Sequence, residues 1–180
     1  FAKHLGIRAF RLEREAGDIL VYTAPGLADD PLLADSSRPL TRWYLNHGHE
    51  AMFLPEPVPK VPLFVHAEDR AAVAERAHVR ASFTRRHSLD EDFEVIPTPG
   101  HTPGATAFLW DDGERRFLFT GDTLYLRNGE WVDGLLDSSD PASFVESLEL
   151  IRGLDFDVLV PWAASGERWW ASTDHRDTRR

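Results

Sequence analysis

The chain has 180 residues, enough for one compact domain with a substantial core and too few for two of ordinary size, so a single domain over residues 1–180 is expected. Its 30 acidic and 20 basic residues give a net charge of −10, and the basic ones are scattered apart from the closing DHRDTRR, which argues against a nucleic-acid or anionic-membrane partner. The absence of cysteine excludes disulfides, thiolate zinc sites and cysteine nucleophiles, so any metal must be held by His, Asp or Glu.

In chain order, residues 6–13 (GIRAFRLE) and 17–24 (GDILVYTA) read as strands joined by a hairpin turn at REAGD. A loop over residues 25–40 leads to a strand in TRWYLNH, which places His47 and His49 where a strand gives way to a loop. PLFVHA is a short strand, and EDRAAVAERA (68–77), rich in Ala, Glu and Arg, is a helix. The strand DFEVIPTP runs into GHTPG, whose prolines and glycines forbid regular structure, so His101 also stands on a loop at a strand end. Residues 105–122 form a hairpin about the turn DDGE, and its second strand ends at Asp122. The clearest helix is DPASFVESLELIRG, with Asp140 as N-cap, Pro141 at the first helical position and Gly153 just past the end. Phe144, Leu148 and Ile151 fall on one face with Val145 beside them. The strand FDVLVPWA follows, and the remaining residues are polar apart from RWW. No apolar run approaches the roughly 18 residues a membrane helix needs, and FAKHLGIRAF lacks a signal peptide's apolar core, so a cytoplasmic protein is expected.

Two histidines at i and i+2 in extended backbone point to the same side, so His47 and His49 can share a metal ion. Alone, HGH is a weak signal that a hydrogen-bonded loop histidine pair also explains. Three features converge, however: His47 and His49, His101 in PTPGHTPGAT, and Asp122 in FTGDT each follow a predicted strand. The spacing is specific too, with TGD arriving 21 residues after His101 across a hairpin.

Together these residues resemble the metallo-β-lactamase superfamily from about Gly17 to Ala163. The resemblance implies an α/β fold, a four-layer αββα sandwich with the site at one edge and two zinc or other transition-metal ions. Against the family pattern H-x-H-x-D-H the chain supplies His47 and His49, then Ala51 for the Asp and Met52 for the second-site His. His101 and the bridging Asp122 are present, while the last histidine is replaced by Ala163, and Tyr22 stands where an Asp usually follows the second strand. By this analogy His47, His49 and His101 complete the first metal site and only Asp122 remains of the second, since the thioether of Met52 is soft.

One zinc or other divalent transition metal is therefore expected on His47, His49 and His101, with Asp122 as a ligand or water-orienting carboxylate. The enzyme reading is a hydrolase of reduced activity on an ester, thioester, lactone, amide or phosphoester in a small molecule. The alternative is a metal-free, inactive member that binds a small molecule or protein, its histidines hydrogen-bonded to one another or to Asp122. Glu50, between the alternating positions, is expected to point away from His49. His66 is read as a satisfied core histidine, and His4, His78, His87 and His175 as solvated. Trp43 and Trp162 flank the depleted strand ends and either pack in the core or line an apolar pocket. Trp169 and Trp170 either cover the sandwich or, if exposed, mark a homo-oligomer surface. Glutathione-thioester hydrolases carry a helical domain after the core, and only 17 residues follow Ala163, so that class is set aside, as are the nucleases and exported β-lactamases. Substrate choice is expected in loops 24–41 and 53–62.

Overall fold

The computed structural model describes residues 5–34 and 37–172. Among them the strands are β1 (Gly6–Ile7), β2 (Phe10–Leu12), β3 (Asp18–Val21), β4 (Leu40–Tyr44), β5 (Leu63–His66), β6 (Val79–Phe83), β7 (His87–Leu89) and β8 (Phe93–Pro97). The chain continues through β9 (Thr106–Asp111), β10 (Arg116–Gly121), β11 (Leu124–Arg127), β12 (Glu130–Asp133), β13 (Val158–Pro161), β14 (Ala163–Ala164) and β15 (Ala171–Ser172). The helices are α1 (Pro31–Ala34), α2 (Arg70–Ala74) and α3 (Pro141–Arg152).

Three sheets result, in the orders β2-β3-β4-β5-β6, β15-β13-β10-β9-β8-β7 and β1-β14-β11-β12. The first two face each other across a core built by strict alternation. From β3, Ile19 and Val21 enter this inter-sheet core, as do Phe119 of β10 and Val158 and Val160 of β13. The intervening residues are buried as well. Leu20 joins Trp43, Leu63, Val65 and the α2 residue Val73 on one outer face. Leu118 and Leu159 join Ile151 of α3 and Phe156 on the other. Strands covered on both faces read as continuous apolar runs, and the result is the four-layer αββα sandwich of the expectation.

Several boundaries differ from the sequence reading. The first expected strand is two, because Arg8 donates its N–H to the Trp162 carbonyl at 3.3 Å and lays its guanidinium 4.0 Å from the Trp169 ring. β1 thus leaves for the small sheet, pairing Ile7 with Ala163, while β2 forms the expected hairpin with β3. The loop at 25–40 contains a 3₁₀ turn at Leu27–Asp29 and the short α1. The helix expected at 68–77 shrinks to α2 behind a 3₁₀ turn at Ala67–Asp69. α3 is as read, with Asp140 accepting from the Ala142 N–H at 3.1 Å, although Val145 is 59% exposed rather than packed. Trp169 is half-buried and Trp170 exposed. No helix among the described residues is long and apolar enough to cross a membrane.

A buried ion cluster pins the β2–β3 hairpin. Asp18, 1% exposed, accepts from Arg11 Nε at 2.7 Å, Arg38 Nη2 at 2.8 Å and the Arg14 N–H at 3.1 Å. Burial pushes its carboxyl pKa up, but the bonds from Arg38, Arg11 and the Arg14 backbone outweigh that and hold it below the ordinary carboxylate range. Asp18→Asn should cost about 3 kcal/mol, at the low end for a buried pair because Arg38 is itself half exposed. The lowered pKa means that the ion cluster's contribution is complete above about pH 4 and is lost as pH falls through the folded-state pKa. Urea midpoints of both proteins across pH 2–7 should show a gap that is constant near neutrality and closes in acid.

Candidate metal centre

Beyond Tyr44 the chain leaves β4 and bends at Asn46 and His47, where His47 has φ −156° and ψ 167°, and then closes a 3₁₀ helix over Gly48–Phe53. His47 and His49 therefore meet through a turn rather than by alternation along a strand, their ring centroids 5.3 Å apart. His101 arrives on the loop after β8. Gly100 (φ +139°) lets that loop lie on the first turn of α3, since a Cβ there would sit 2.4 Å from the Phe144 Cα. The His101 ring stands 4.7 Å from that of His47 and 5.1 Å from that of His49. Each of the three offers a ligand nitrogen within 4.8 Å of the others. Asp122, just past β10, brings Oδ2 to 3.6 Å from His47 Nε2 and 3.9 Å from His101 Nε2.

Burial pushes the pKa of His47 well below the ordinary histidine range, and the neighbouring His101 and His49 push it further. Burial lowers that of His101 too. Both are thus neutral, the form in which imidazole binds metal. The Nδ1 of His101 donates to the Gly134 carbonyl at 2.6 Å, so its Nε2 lone pair faces the cluster, where it lies 3.2 Å from His49 Nδ1, a bond between histidines of the kind the alternative reading expected. Burial also raises Asp122, to about 7. Two atoms here lack any hydrogen-bond partner although buried, His47 Nε2 and Asp122 Oδ1. Native proteins rarely strand such groups, and a divalent ion among three imidazoles and a carboxylate would satisfy them, so the donor set suits a metal.

The positions that the resemblance assigns to a second metal offer no comparable donors. Ala51 packs in the apolar cluster with Leu20 and Trp43, Met52 is 59% exposed, and Ala163 is buried in β14. Glu50 does not point away from the cluster as expected but lies beneath it, Oε1 standing 3.8 Å from His47 Nδ1, and its carboxyl accepts from the N–H groups of Thr23 at 2.8 Å and Asn46 at 2.6 Å. Tyr22 is a brace: its buried phenol donates to the Val160 carbonyl at 3.0 Å and accepts from the Gly121 N–H at 2.7 Å. Trp43 and Trp162 are both fully buried, with Trp162 edge-on to His47 at 5.3 Å and donating to the Thr23 carbonyl at 2.7 Å. His66 lies apart, capping the 3₁₀ turn after β5 and packed against Phe83. His78 is exposed, while His87 is half-buried rather than solvated and bonds the Arg85 carbonyl at 2.9 Å. His4 and His175 lie outside the described residues.

Asp69 is a site residue that spacing did not reveal. Its buried Oδ2 accepts from the Gly48 N–H at 2.8 Å and from Thr102 Oγ1 at 2.6 Å, clamping the HGH turn to the loop of His101. Nothing in HAEDR marks it, because its partners are 21 and 33 residues away.

Residues 36–163 match the family model of the metallo-beta-lactamase superfamily. A hydroxyacylglutathione hydrolase of Xanthomonas axonopodis pv. citri (strain 306) is 33% identical over 149 residues, 78% of this chain and 54% of that protein. The chain thus spans about half the length of that curated relative. Among solved structures, TTHA1623 in a di-iron-bound form aligns with a TM-score of 0.61 at 23% identity, covering 96% of this chain and 94% of its own. AidC, a dizinc quorum-quenching lactonase, aligns with a TM-score of 0.64 at 14% identity, over 93% of this chain and 75% of its own. These structural likenesses show the fold.

Asp69→Ala should strand the Gly48 N–H and the Thr102 hydroxyl, at a cost of about 1–3 kcal/mol for a buried group left unpaired. Amide hydrogen exchange should quicken at residues 46–53 and 100–104 in this variant while the strands β8 to β10 keep their protection.

Proposed function

Since the chain belongs to the metallo-beta-lactamase superfamily, we propose that it is a hydrolase with a single metal ion, held by His47, His49 and His101 beside Asp122, that cleaves an ester, thioester, lactone or amide bond of a small molecule. The observation that carries this reading is the pair of buried atoms without partners, His47 Nε2 and Asp122 Oδ1, at the meeting point of three imidazoles. A bound divalent ion supplies Lewis acidity and brings the pKa of water to about 7.

The chain's own groups supply the rest. His47 and His101, kept neutral by burial, present lone pairs rather than positive charge to the site. Asp122 stands close enough to two of the imidazoles to orient an attacking water and accept its proton. Trp162, packed edge-on to His47, excludes solvent from one flank. With Ala51 and Ala163 in place of ligands, the electrostatic help of a second ion is missing. Each such group lost typically costs ~10²–10³ in rate, so turnover should fall well below that of two-metal relatives. Glutathione thioesters, set aside on the sequence, return as the first substrates to try, because the similar curated proteins are hydroxyacylglutathione hydrolases.

A second reading, a metal-free binding module, draws on the same substitutions: Ala51 has become part of an apolar cluster and Ala163 part of a strand. The two readings separate by elemental analysis of protein loaded with zinc and then dialysed. The hydrolase reading expects one zinc per chain, absent from the His47→Ala/His49→Ala double variant, and hydrolysis abolished in His101→Ala. Protein that retains no zinc, and whose ligand binding ignores chelators, would favour the binding module.

A further inference from the structure

Among the described residues, His47 is the fully buried imidazole of the cluster, and which of its nitrogens carries the proton decides whether it can bind a metal at all. Its Nδ1 lies 2.9 Å from Asn46 Oδ1. An amide oxygen and an amide nitrogen at that position would impose opposite tautomers, so the orientation of the Asn46 side chain is the controlling variable.

Three features set that orientation. Asn46 Nδ2 donates to the carbonyl oxygen of Thr106 on β9, an atom that only accepts, so the amide nitrogen must face Thr106 and the oxygen must face His47. Gly121 leaves the space the amide occupies: a Cβ there would lie 1.9 Å from Asn46 Cγ and Oδ1. Glu50, wholly buried, fixes the backbone beneath, one carboxyl oxygen taking the Asn46 N–H and the other the Thr23 N–H at the end of β3. With Oδ1 facing it, His47 Nδ1 must be the donor. Its Nε2 is then left with a lone pair and no partner, directed to Asp122 and the other imidazoles.

We propose that Asn46, held by Thr106, Gly121 and Glu50, is a positioning residue that locks His47 in the Nδ1–H tautomer and so presents its Nε2 lone pair to the metal position. The inference rests on the metal-binding reading for its purpose, but the tautomer itself is a property of the metal-free chain. It also accounts for two residues left outside the ligand set: the buried Glu50 holds the base of the device, and the glycine of TGD makes room for its head.

The test is long-range ¹H–¹⁵N correlation NMR of the metal-free, ¹⁵N-labelled protein at about pH 8.5, above the histidine range, with zinc affinity measured by competition against a chromophoric chelator. Wild-type His47 should show a protonated Nδ1 and an unprotonated Nε2. Asn46→Ala should shift it toward the Nε2–H form and weaken zinc binding ~10–100-fold, with Glu50→Gln, which keeps one acceptor oxygen, in between. Wild-type His47 found as Nε2–H overturns the proposal, and this reading needs no variant to fold. So does an Asn46→Ala protein that keeps the wild-type tautomer or, where the wild type binds zinc, keeps its affinity. Should the wild type take up no zinc yet lose its Nδ1–H tautomer in Asn46→Ala, the hydrolase reading fails and the positioning role stands.

Discussion

Two buried neutral imidazoles, His47 and His101, meeting beside His49 are the constraint to which the surrounding structure answers. The His47 Nε2 lone pair has no partner, that of His101 meets His49 Nδ1 at 3.2 Å, and burial keeps water from both rings. Only a rigid frame keeps such groups together, and the frame consists of short polar ties between loops from different sheets. Asp69 holds the HGH turn to the His101 loop, Gly134 holds the His101 ring, and Glu50 holds the ends of β3 and β4 together beneath His47. Tyr22 adds a brace from β3 to Gly121, the residue before Asp122.

The two halves of the site have moved in opposite directions. On the side of His47, His49 and His101 the polar supports are complete, down to a carboxyl and an amide dedicated to one ring. On the other side the apolar core has advanced. Ala51 is part of the cluster around Trp43, and Ala163 pairs with Ile7 behind Trp162, whose ring lies against His47. A chemistry that uses one ion and one carboxylate suits this arrangement. Under the proposed reading a chemistry that shares a substrate between two ions does not, because Ala51 and Ala163 offer no ligand.

How far the structure was legible depended on the range of the forces involved. The hairpin of β9 and β10 and the capped α3 were readable because alternation, turn residues and caps act within a few neighbours. β12 was not, since Glu130–Asp133 carries no apolar alternation and is held only by pairing with β11. The division of residues 6–13 between two sheets was equally hidden, being decided at Arg8 by Trp162 and Trp169. At the site, the sequence pointed to the histidines and to Asp122, which the fold brings together, yet the route was misread: a 3₁₀ turn, not a strand, brings His49 to His47.

The sequence by itself determined the inventory. It excluded cysteine ligands and supplied three histidines and a carboxylate, consequences of residue identity and local spacing. The tertiary structure decided which like residues act alike. His66 and His87 have the chemistry of His47 but pack against Phe83, and Glu50 and Asp69 became supports while exposed acids stayed in water. The supporting roles of Glu50 and Asp69 rest on hydrogen bonds between groups from 4 to 33 residues apart. Their geometry exists only once two sheets have fixed their registers and met face to face, so no local pattern in the chain encodes it.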